Sequence, residues 1–129
     1  MQRKMQNLFK NEEWIILNLH NAGYQVKTYL SQLETLREKY DLGELKTQAK
    51  WFKKIFTYYR EELIPAIQET AEMEKRHIVI FDKNPDTDFD PQVEVDNHQQ
   101  LTKQFLTRFE QVHKAFYEFC ISAKKGAKK

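Results

Sequence analysis

The 129 residues carry 21 basic and 19 acidic side chains, a net charge of +2, and 13% of them are aromatic. Enough large side chains are present to offset chain entropy, which excludes a disordered chain, and the near-neutral balance excludes a partner selected by average charge. One cysteine excludes an internal disulfide or a multi-Cys zinc site, and three glycines with three prolines are too few for the turns of a β-sandwich or Rossmann-type sheet.

No apolar run approaches the ~20 residues of a membrane span, and the N-terminus lacks the apolar core of a signal peptide. The expectation is a soluble, cytoplasmic, all-α domain over 1–123 with a basic polar tail at 124–129. The first helix is predicted from about Leu8 to Tyr40, with apolar positions at Phe9, Ile16, Leu19, Val26, Leu30 and Leu33. Gly43 suits a left-handed stop after it. Gly23 sits inside the stripe. It reads either as a weak spot or as a close approach of another helix, and a break there gives four helices instead of three.

A second helix is predicted over Glu44–Glu74, with Ala49, Phe52, Phe56, Tyr59, Leu63 and Ile67 on one side. Pro65 lies within it and predicts a kink near Glu61–Ile64. Residues 77–81, His-Ile-Val-Ile-Phe, and the alternating 92–95 suit strands. Residues 77–95 therefore read either as a short β-hairpin or as a frayed helix end and an irregular loop. Asp96 with Gln99 forms a capping-box pattern for a third helix ending near Ala123. The resulting fold is an up-down-up bundle of three long antiparallel helices.

Chemistry-bearing residues are placed by counting levels along that bundle. If residue 40 pairs with 44, and 77 with 98, the level of His113 is that of Glu62 and Ala22. His20, Glu62 and His113 then converge mid-bundle as transition-metal ligands. Glu-x-x-His occurs at Glu74/His77 and at Glu110/His113, a spacing used in di-iron carboxylate bundles, but no further carboxylate is evident to complete such a site. Arg108 and His113 form an Arg-x4-His pair, which resembles the active motif of small α-helical ribonucleases of the HEPN class. The resemblance covers two residues and implies acid–base work for His113 and phosphate contact for Arg108. Phe109 departs from the polar residue often found there. The aspartates at 82, 86, 88 and 90 fit no register of a calcium loop. Cys120, on an aromatic stripe, reads as core.

Charge placement is the stronger signal. Lys46, Lys50, Lys53, Lys54 and Arg60 occur within 45–60 with no acid among them. The bundle brings Arg37, Lys39 and the tail lysines to the same end, where they can engage a polyanion or an acidic partner. Trp14, Leu17 and Tyr24 lie opposite the main stripe of helix one and predict a partner or homodimer interface. The functional expectation is a non-enzymatic interaction module. The alternative is a small metal-binding or hydrolytic bundle.

Overall fold

The computed structural model describes residues 1–85 and 90–129. Its helices are α1 (Arg3–Lys39), α2 (Lys46–Tyr58), α3 (Ile64–Lys83) and α4 (Pro91–Lys124), with a 3-10 turn at Gly43–Leu45 and a π-helical turn at Tyr59–Leu63. The π turn joins α2 to α3 as one rod, so three rods make the all-α bundle. Along α1, Gly23 lies beside Ile64 and Tyr29 meets Phe56 at 5.4 Å; along α4, Phe105 meets Tyr59 at 5.2 Å and Phe119 meets Phe52 at 5.3 Å. The middle rod is therefore antiparallel to both neighbours.

Helix α1 is continuous through Gly23, so the four-helix alternative is not what forms. A Cβ at Gly23 would meet Ile64 Cγ2 at 3.8 Å, an ordinary contact, and no close backbone approach requires glycine there. The α1 stop is as expected: Tyr40 is extended, and Gly43 takes φ +53. The Gly43 amide donates to Asp41 Oδ1 at 3.2 Å.

Pro65 is accommodated by the π turn. The Ile64 amide donates to the Tyr59 carbonyl, five residues back, and the inserted residue lets α3 begin afresh. Pro65 then sits in a first turn, where its missing donor costs little.

The hairpin at 77–95 does not form among the described residues. Residues 77–83 continue α3, and α4 starts at Pro91. Ile78 and Val95 are fully buried with Met5 and Leu8, so burial of one helical face outweighs the β preference of a short β-branched run. The helix start expected at Asp96 is likewise displaced. Asp90 caps α4 by accepting from the Gln92 amide at 2.9 Å, with Pro91 in the first turn, and Asp96 instead accepts from Gln92 Nε2 at 2.8 Å. Asp86 and Asp88 lie outside the described residues.

The core has two parts. A large cluster joins Ile15, Leu19, Phe52, Phe56, Phe109, Phe116 and their neighbours. A smaller one, Met5, Leu8, Ile78 and Val95, closes the end near the α3–α4 connection. At the other end the tail folds back. The Asp41 amide donates to the Ala127 carbonyl, and the Lys129 amide to the Lys39 carbonyl.

Gly23→Ala should raise stability by about 0.5–1 kcal/mol, because it removes a helix-interior glycine without a clash. Chemical denaturation measures this, and a loss of stability would show that the α1–α3 packing does need glycine.

Candidate metal centre

The buried stripe of α1 runs Met5, Leu8, Glu12, Ile15, Leu19. Glu12 thus occupies a core position of the helical repeat. Glu74 does the same on α3, between Ala71 and Ile78, and His98 on α4, between Val95 and Thr102. The topology brings these three polar interruptions to one level, between the large and small apolar clusters. Glu12 is 0% exposed, Glu74 1% and His98 8%.

One ligand atom from each residue lies within 4.8 Å of the other two. His98 Nδ1 is 3.2 Å from Glu74 Oε1 and 3.8 Å from Glu12 Oε2. Neither contact has hydrogen-bond geometry. With both carboxyls ionised, His98 Nδ1, both oxygens of Glu12 and Oε2 of Glu74 have no hydrogen-bond partner. Native interiors seldom leave such groups unpaired, since each costs about 1–3 kcal/mol. The remaining buried polar residue, Thr102, satisfies itself by donating to the His98 carbonyl at 2.9 Å.

Burial pushes the Glu74 carboxyl up to about 9, and the charges of Glu12 and Glu94, with a hydrogen bond from the protonated carboxyl to Glu12, add to the shift. One turn toward the connection, His77 Nδ1 stands 3.0 and 3.1 Å from the two oxygens of Glu94. This half-buried pair fixes the position of the Glu94 charge that bears on Glu74.

Two carboxylates and one imidazole suit manganese, iron or zinc. They do not suit a soft cation that needs thiolates, or calcium and magnesium, which favour all-oxygen shells. Metal–ligand bonds of about 2.0–2.2 Å put neighbouring donor atoms roughly 3–4 Å apart. Two of the three separations already fall in that range.

The structure does not bring His20, Glu62 and His113 together. His20 and Glu62 are exposed, and His113 is half-buried and hydrogen-bonded to the Tyr29 hydroxyl. Burial, with the Glu110 charge, raises the Tyr29 pKa, so the hydroxyl keeps its proton. The level count fails at the second connection. His77 pairs with Glu94, not with residue 98, which moves α4 by about one turn, and His113 lies at Tyr29, seven residues beyond Ala22. Of the two Glu-x-x-His pairs, only the first contributes to the cluster, through Glu74. Arg108 and His113 line different surface depressions, and the Arg108 charge acts on Tyr59 instead. The signal for Glu12 and His98 was present as polar residues on apolar stripes.

The other expected surfaces are open. Trp14, Leu17 and Tyr24 are exposed on α1. Lys46, Lys50, Lys53 and Lys54 are exposed on α2, and Lys53 reaches Glu34 Oε1 at 3.7 Å. Comparison of the chain with protein-family models, curated proteins and solved structures gives no match.

The raised Glu74 pKa sets the pH dependence of the metal-free protein. The folded carboxyl titrates near 9 and the unfolded one near 4.5, so the unfolded chain sheds this proton first. Stability from this group is complete below about pH 4.5 and is lost as pH rises toward 9. Glu74→Gln should flatten that decline and make the metal-free protein more stable at pH 8, as read by urea denaturation across the range. A steeper decline in the variant would contradict the assignment.

Proposed function

We propose that the chain is a metal-binding helical bundle that holds one divalent transition-metal ion between Glu12, Glu74 and His98. The observation that carries this reading is the set of orphaned, fully buried donor atoms supplied by three different helices. A divalent ion would displace the proton that Glu74 holds, balance the two resulting carboxylates and replace unmet hydrogen bonds with coordinate bonds. The donor atoms are closed off from solvent, an environment that favours a structural ion over an open Lewis acid acting on substrate. The ion would join α1, α3 and α4 where the apolar core is interrupted.

Titration of the metal-free protein with Mn²⁺, Zn²⁺ and Co²⁺ tests this. At least one should raise stability by about 2.7 kcal/mol at a hundredfold excess over its Kd. The double variant Glu12→Gln/Glu74→Gln should fold, be more stable without metal, and lose the metal response. An unresponsive wild type, or an equal response in the double variant, would refute the centre.

A second reading is that the protein is also an interaction module. It is favoured by the returning tail, which sets Lys129 beside Lys46, Lys50 and Arg37 around one depression. Lys129 Nζ itself donates to the Arg37 carbonyl at 2.8 Å. Cations concentrated this way attract a polyanion or an acidic partner weakly and with strong salt dependence. Replacing Lys46, Lys50, Lys53 and Lys54 with Gln should abolish retention on heparin at low salt, whereas changes at Lys10 and Lys27 should not. Trp14 and Leu17, one turn apart and exposed, are proposed to mediate homodimerisation. Polar replacements there should shift sedimentation from dimer to monomer, and a wild type that is monomeric at high concentration would exclude it.

A further inference from the structure

Next to that basic end, α2 forms one wall of a groove of about 820 Å³. Arg37, Lys50, Lys53 and Lys54 line it together with Trp51 and Tyr58. Both rings are 45% exposed, and among the exposed aromatics of the described residues these two stand beside the lysines of α2. They are seven residues apart on one helix, hence on one face and roughly 10 Å apart along the axis. Each is braced from within: Trp51 packs edge-on against Phe52 at 5.0 Å, and Tyr58 tilts on Tyr59 at 6.2 Å. Their outer surfaces face away from these contacts and are open to a ligand.

The cations around the rings are only partly neutralised. Glu34 Oε1 is shared by Arg37 at 3.3 Å and Lys53 at 3.7 Å, one carboxylate against two cations. Lys50 and Lys54 have no acidic partner among the described residues. Glu61 and Glu62 close the far end of the groove with negative charge. The favourable charge is therefore confined to the stretch from Arg37 to Lys54, which a short segment spans.

We propose that this groove binds a short segment of single-stranded nucleic acid, with phosphates held by Arg37, Lys50 and Lys54 and unstacked bases resting on Trp51 and Tyr58. The proposal rests on the basic-end reading and adds the class of ligand. Lysines alone would serve any polyanion. Aromatic rings interleaved with them reward a ligand that carries flat apolar faces beside its phosphates, which a single strand offers and a duplex or an acidic peptide does not.

The test is fluorescence anisotropy of a labelled short oligo(dT) at low salt, with heparin retention measured in parallel. Trp51→Ala and Tyr58→Ala, both at exposed positions, should each weaken oligo(dT) binding about 5- to 50-fold and leave heparin retention unchanged. Lys50→Gln/Lys54→Gln should reduce both, and should lower the salt dependence of oligo(dT) binding. Circular dichroism checks that each variant remains helical. Equal affinity for duplex and single strand, displacement by polyglutamate as effective as by unlabelled oligo(dT), or no effect of the aromatic variants would overturn the inference and leave the basic-end reading standing. A wild type that binds neither oligo(dT) nor heparin would overturn both.

Discussion

Three polar side chains buried between two apolar clusters set the terms for this bundle. Glu12, Glu74 and His98 occupy positions where Leu or Ile would pack without cost, and their donor atoms lack hydrogen bonds. Such a layer weakens a metal-free core, because desolvating carboxylates costs more than their attraction to one imidazole returns. It also specifies alignment. Only one register of the three rods brings the polar positions to the same level, and a slip by one turn would set a carboxylate against aliphatic side chains such as Ile15 or Ile78.

The remaining architecture serves that register. The π turn at Tyr59–Leu63 adds a residue just before Pro65, which keeps the middle rod continuous across a proline. The His77–Glu94 contact and the Asp90 cap hold α3 and α4 in step beside the connection. At the opposite end, the aromatic cluster around Phe52, Phe56 and Phe116 locks the rods by edge-on packing, with Phe56 and Phe116 at 5.1 Å and nearly perpendicular. Polar chemistry at one end and cationic chemistry at the other are thus separated by the large apolar cluster.

The two ends use different physics. Near the α3–α4 connection, charges are removed from water and each one matters individually. Near the tail, charges stay solvated and act by accumulation, with screening over about 10 Å at moderate salt. A net charge of +2 conceals both arrangements, since it averages an inward acidic layer with an outward basic groove.

Helix periodicity, the glycine stop at Gly43 and the apolar stripes were legible in the sequence because they arise from interactions within a few residues of one another. So was the crowding of lysines on α2, and the exposure of Trp14 and Leu17 opposite the main stripe. The site was half legible. Glu74 was visible in its Glu-x-x-His spacing, but its partners Glu12 and His98 are 62 and 24 residues away along the chain. Which residues face one another across helices depends on the length of the second connection. There, burial of Ile78 and Val95 overrode a local strand preference and lengthened both helices. That gain exists only once α1 supplies Met5 and Leu8 as a surface to pack against. The alignment of His98 with Glu74, and the placing of His113 on Tyr29, were therefore decided by tertiary burial and not by any local signal.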